Sequence, residues 1–171
     1  IDSDADFNQK ANDVFSFQFQ NCAAYKEFLS RTQNSRGNLN FPFLPIELFK
    51  THKINSESSE ELLFRSSGTT AVQRSVHPIF DANLYSTLSI RNFENQYGSL
   101  SEWTILGLLP SYLENGDSSL VYMVDSFIQK ATPNSRFVGF DLEVLHQTLN
   151  ELAKSEAKIL LIGVSYALLD F

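Results

Sequence analysis

The chain has a single cysteine, Cys22, which excludes an intrachain disulfide framework and fits a reducing compartment. It shows no signal-peptide pattern and no apolar run long enough to span a bilayer, so a cytoplasmic location is expected. Positive charge is scarce. Thirteen Lys and Arg against 20 Asp and Glu leave a net charge of −7, which argues against a nucleic-acid surface and against an anionic membrane. Any anionic ligand must therefore be held by local geometry and not by the general field. His52, His77 and His146 form no pair at metal-ligand spacing and there is no Cys–His cluster, so no metal site is expected. Glu57, Glu60 and Glu61 read as a solvated acidic run and not as a carboxylate dyad. No internal repeat and no low-complexity tract appears.

Aromatic residues are plentiful, with 15 Phe in 171 residues, and the length suits a domain with a sizeable core. The chain divides into a helical and Pro-containing lead-in over 1–61 and an α/β core over 62–171. Residues 4–31 read as one or two helices. Phe15, Phe19, Cys22, Ala23 and Phe28 recur at mostly helical spacing, as core positions. A polar loop follows at 32–40. Pro42 and Pro45 then forbid a regular element through the front of 41–50, and Pro45 opens a short helix.

From Leu62 onward, strands and helices alternate. Strands are expected at Leu62–Arg65, Ser75–Phe80, Trp103–Leu109, Arg136–Phe140 and Lys158–Gly163. Helices are expected after Asp81, after Asp117 or Ser118, after Asp141 and near Ser165, with the Asp and Ser side chains as N-caps. Continuous apolar strands between amphipathic helices predict a mostly parallel sheet covered on both faces. Ligands of such sheets bind beyond the carboxyl ends of the strands. The stretch after Leu62–Arg65 stands at such an end in this reading.

That stretch is Ser66-Ser67-Gly68-Thr69-Thr70-Ala71-Val72-Gln73-Arg74. Hydroxyls and backbone N–H groups donate to an anion, Gly68 lets the backbone approach closely, and Arg65 and Arg74 place cations at both ends. It does not match the G-x-x-x-x-G-K-[ST] loop. Read alone, its composition favours a plain Ser/Thr-rich turn between two strands.

Ser66-Ser67-Gly68-Thr69-Thr70 resembles the phosphate loop of the adenylate-forming superfamily of acyl-CoA synthetases and phenylacetate-CoA ligases. Ala71, Gln73 and Arg74 depart from its later Gly, Pro and Lys. Further segments are similar, in order, to the acyl-protein synthetase family of the bacterial luminescence fatty acid reductase. These are Phe43-Leu44-Pro45-Ile46 with Phe49-Lys50, Tyr97-Gly98, Leu109-Pro110-Ser111-Tyr112-Leu113, Ser118-Ser119-Leu120 and the run from Ile162 to Phe171. The resemblance implies a partial N-terminal domain of the adenylate-forming type. It implies ATP and Mg²⁺ as cofactors, a carboxylic acid substrate (a fatty acid in the founding members) and transfer of the acyl group to a thiol on coenzyme A or on a carrier or partner protein. It also implies that Ser66, Ser67, Gly68, Thr69 and Thr70 hold the β- and γ-phosphates, with Arg74 in the Lys role. Tyr112 and Ser165 fall where relatives line the acyl pocket, and His77 lies near the loop.

The family's later adenine, ribose and catalytic-Lys motifs have no counterpart here. The chain is therefore expected to be the N-terminal portion of a longer enzyme, inactive by itself, and either completed by a C-terminal half or self-associating.

Two other readings remain open. Gly163-Val164-Ser165-Tyr166-Ala167 approaches the nucleophile-elbow pattern of serine hydrolases, with Ala in place of the last Gly. No His follows Ser165, which favours a plain strand-to-helix turn with Ser165 as N-cap. A non-catalytic interaction module with a degenerate phosphate loop is the other reading, and nucleotide binding that depends on Gly68 and Thr69 separates the two.

Overall fold

Ten residues separate Arg65 from Val76, fewer than a parallel crossover needs, so the strands on either side of that connection can pair only as a hairpin. The computed structural model, which describes residues 2–32, 42–56, 59–66, 74–109, 116–139, 141–154 and 158–169, has this pairing. Strand β1 (Leu62–Arg65) runs antiparallel to β2 (Val76–Ile79), with Leu62 opposite Ile79 and Arg65 opposite Val76. The two form a sheet of their own. The expectation that β1 belongs to the parallel sheet, with its loop at that sheet's carboxyl edge, is thereby corrected. The loop stems from an antiparallel hairpin.

The chain separates into two compact units, 1–81 and 82–171. The hairpin falls in the first, whereas the sequence reading divided the chain at 61/62. In this first unit α1 (Asp4–Asn21) begins at Ser3, whose hydroxyl accepts from the Asp6 amide, and stops at Cys22, where the backbone turns extended. Helix α2 (Ala23–Arg31) follows at once. Cys22 is buried at this break, so its packing role holds. The Phe residues of α1 differ from expectation, because this helix has no buried residue and Phe7, Val14, Phe17 and Phe19 are exposed. Pro45 precedes a 3-10 helix, Ile46–Lys50.

The second unit carries the parallel sheet. Strand β3 (Trp103–Leu108) lies between β4 (Arg136–Phe137) and β5 (Lys158–Gly163), parallel to both. Its side chains alternate, as a pleated strand requires. Ile105, with Leu109 just beyond the strand, packs with Val124 and Phe127 of α4 (Ser119–Ile128) and with Ile90 and Phe93 of α3 (Ala82–Tyr97). Leu106 and Leu108 pack on the other face with Leu145 of α5 (Leu142–Leu152) and Ala167 of α6 (Ser165–Leu169). Helices thus cover both faces, as predicted. The strand order explains why. Right-handed crossovers from β3 to β4 and from β4 back past β3 to β5 run in opposite directions, so their helices land on opposite faces.

Local signals set the boundaries. Gly98, at φ 84°, ends α3, and its amide donates to the Glu94 carbonyl at 3.0 Å. Ser118 caps α4 by accepting from the Val121 amide at 3.4 Å, and Asp141 caps α5 by accepting from the Glu143 and Val144 amides at 3.1 Å. Strand β4 begins at Arg136 as expected but ends at Phe137, with the Val138 amide still donating to the Gly107 carbonyl at 2.9 Å; ahead of it, side chains take the place of ladder bonds. Ser135 Oγ accepts from the Ile105 amide at 2.9 Å, and the Thr104 and Thr132 hydroxyls pair at 2.8 Å.

Candidate functional site

The stem of the hydroxyl-rich loop is a tight closure. Beyond Arg65 and Val76 the hairpin gains one more rung, with the Ser66 amide donating to the Ser75 carbonyl at 3.0 Å. The Ser75 amide donates to Ser66 Oγ at 3.0 Å, and Arg74 Nε donates to the Ser66 carbonyl at 2.6 Å. Ser75 is buried. Arg74 is thus tied across the mouth of the loop with its guanidinium fixed at one atom. Ser67, Gly68, Thr69, Thr70 and Tyr112 lie outside the described residues.

A cleft of about 460 Å³ opens beside this stem, within the usual range for small-molecule sites of roughly 300–1,000 Å³. Its floor includes Leu63, Arg65 and Val76. Leu63 and Arg65 are two apart on β1, so they share a face, and Val76 sits opposite Arg65 on that same face. The facing wall is the segment that leaves the 3-10 helix, with Lys50, His52 and Lys53. Among the described residues, four Lys and Arg side chains line this one cleft, but one acidic side chain, Glu60. The cleft therefore reverses the sign of the chain as a whole. Glu60 is itself paired, with Lys53 Nζ 2.9 Å from its carboxylate.

The packing that holds the wall in place uses a residue close in sequence to the loop. His77 stacks on Phe49 at 4.6 Å between ring centroids and 22° between planes. On β2 it shares the face of Phe64, the opposite face from Arg65 and Val76. His77 thus docks the 46–50 turn on the hairpin. His52 bonds the Thr51 hydroxyl through Nδ1 at 2.8 Å, and His146 bonds Asn150 on its own helix.

Phe49 also forms part of a second, larger cavity of about 980 Å³ in the same unit, between α1 and the 42–56 segment. Phe7, Phe15, Tyr25, Phe43 and Phe80 line it, so two of the Phe residues of α1 are used there. The Tyr25 phenol donates to the Pro42 carbonyl at 2.6 Å. Burial raises its pKa above the ordinary phenol value, so it stays protonated and keeps donating at neutral and mildly alkaline pH.

Of the predicted site residues, Ser66 and Arg74 are brought together at the stem, His77 supports the neighbouring turn, and Ser165 lies in the second unit, exposed at the start of α6. The glycine of the elbow-like motif has a packing cause. A Cβ on Gly163 would stand 2.9 Å from the Leu108 carbonyl oxygen and 3.0 Å from Leu168 Cγ, so only glycine lets α6 sit this close to β3. Lys50, His52 and Lys53 were missed as cleft residues. Their signal was faint: a cluster of basic residues after Phe49, ahead of an acidic run. Among the described residues no three His, Cys, Asp or Glu side chains are grouped to hold a metal ion, and no helix is long and apolar enough to cross a membrane.

No protein-family model, no curated protein and no solved structure matches the chain.

Proposed function

We propose that the chain supplies the phosphate-holding part of an ATP-dependent, acyl-adenylate-forming enzyme of the acyl-protein synthetase type. Such an enzyme activates a carboxylic acid and passes the acyl group to a thiol. The observation that carries this reading is the cationic cleft at the foot of the hydroxyl-rich loop, in a chain that is otherwise acidic.

When a carboxylate attacks the α-phosphorus of ATP, the bond to the leaving pyrophosphate breaks and negative charge gathers on its oxygens. Donors fixed before the reaction stabilise that charge without reorganising. Arg74, tied to the Ser66 carbonyl, and Arg65, on the rigid hairpin, are such groups. Ser66, Ser67, Gly68, Thr69 and Thr70 would contribute hydroxyl and backbone donors to the β- and γ-phosphates. Mg²⁺, when bound, would neutralise part of the phosphate charge, and Glu60 is a carboxylate on the cleft wall suited to it. The apolar cavity that shares Phe49 with the cleft suits the body of an acid whose head group is anionic. In this reading the fold is a partial adenylate-forming N-terminal domain.

Calorimetric titration of Mg²⁺–ATP into the chain tests the reading, beside a Gly68→Trp variant that fills the loop. Saturable binding that the variant abolishes is expected. Absence of binding, or equal binding by both proteins, would overturn it. Acid-dependent ATP–pyrophosphate exchange by the enzyme carrying this chain then tests the activation step itself.

A further inference from the structure

We infer that Lys50 and Lys53, which belong to no part of the hydroxyl-rich loop, form a second cationic arm of the polyphosphate site. The inference rests on the reading above and extends it from a loop to a two-sided clamp. Three observations carry it. The cleft has two walls from separate stretches of chain, with Arg65 and Arg74 on the hairpin and Lys50 and Lys53 on the turn that leaves the 3-10 helix. The turn is docked on the hairpin by the Phe49–His77 stack, so its cations are positioned by packing and do not hang from a loose loop. Among the described residues Lys50 also forms no ion pair, and the partner of Lys53 is Glu60 alone.

Like charges gathered in one cleft repel, and a chain with so few cations gains nothing in stability from concentrating them there. A polyanion relieves that repulsion. A cleft of about 460 Å³ has room for more than one phosphate, and a chain of two or three offers oxygens to both walls at once. The ligand class is therefore a linear polyphosphate, free or on a nucleotide. The Lys53–Glu60 pair is exposed enough to be weak, with 52% of the Lys53 side chain accessible, so a multivalent phosphate can take Lys53 from Glu60.

The test uses inorganic tripolyphosphate, titrated calorimetrically into the intact chain and into Lys50→Gln, Lys53→Gln, Lys50→Arg and Glu60→Gln variants. Lys154→Gln, in the second unit, serves as the control. Each Lys→Gln change in the cleft is expected to weaken binding roughly tenfold, the scale of one lost charge-assisted hydrogen bond. Lys50→Arg should retain most of the affinity, Glu60→Gln should tighten binding severalfold, and the control should stay within about twofold. The Gln variants should keep the parent's thermal unfolding curve, because both Lys side chains are exposed. If the Lys50 and Lys53 variants bind like the parent while Arg74→Gln does not, the clamp has one side only. The second arm is then refuted and the loop reading stands. If the parent itself fails to bind tripolyphosphate, the loop reading and the second arm both fall.

Discussion

Arg74→Glu is expected to weaken tripolyphosphate binding about a hundredfold, the largest effect of any single change in the cleft. Two terms add. A charge-assisted hydrogen bond to phosphate is worth roughly 1.5–3 kcal/mol, and about 1.4 kcal/mol is tenfold in affinity. The introduced carboxylate then repels the ligand it replaces a partner for. The Arg74→Lys variant separates charge from geometry. It keeps a cation but loses the Nε bond to the Ser66 carbonyl and the planar fork, so a loss of roughly tenfold is expected. Equal affinities for Arg74→Glu and the parent would show that the stem arginine only closes the hairpin.

Leu106→Ala should lower the unfolding free energy of the second unit by about 2–5 kcal/mol, the usual range for emptying a closed core site. Leu106 is fully buried, stands opposite Arg136 on one side and Leu161 on the other, and packs with Leu145 and Ala167. Backbone pairing on both sides fixes β3, so the strand cannot shift to fill the space. Trp103 is the chain's one tryptophan and begins the same strand, so its fluorescence during urea unfolding reads out this unit. A loss below about 1 kcal/mol would mean that the face under α5 and α6 is not closed.

The second unit was legible because its signals are local and redundant. The run from Trp103 to Leu109 and the run Ile159-Leu160-Leu161-Ile162 are apolar on both faces, which only a sheet covered on both sides accommodates. Ser118 and Asp141 stand where the caps form, and Gly98 stands where a left-handed residue ends a helix. In the first unit the strands were foreseen, at Leu62–Arg65 and at Ser75–Phe80 (observed Val76–Ile79), but their partners were not. Four apolar-leading residues look alike whether the neighbour is parallel or antiparallel. The discriminating fact was the length of the connection, too short for a crossover. The Phe residues of α1 misled in another way. Helical spacing predicts a shared face, but not what that face meets: Phe7 and Phe15 line a cavity, and Phe17 and Phe19 are exposed.

The candidate site was half legible. Arg65 and Arg74 were visible because they flank the loop in sequence. Lys50 and Lys53 were not, because they reach the cleft from a stretch separated from Arg65 by an acidic run. The stacking of Phe49 on His77 brings that stretch to the hairpin. His77 shows the converse. Proximity in sequence left a place beside the ligand open next to a structural role, and the strand's two-residue period turns it to the opposite face from Arg65.

The most direct measurement is amide chemical-shift mapping of the isotopically labelled chain during titration with inorganic tripolyphosphate. The account predicts saturable shifts on both walls of the cleft, at Lys50 to Lys53 and at Arg65, Ser66 and Arg74 to Val76. Saturable shifts confined to residues 82–171, or none at millimolar ligand, would contradict it.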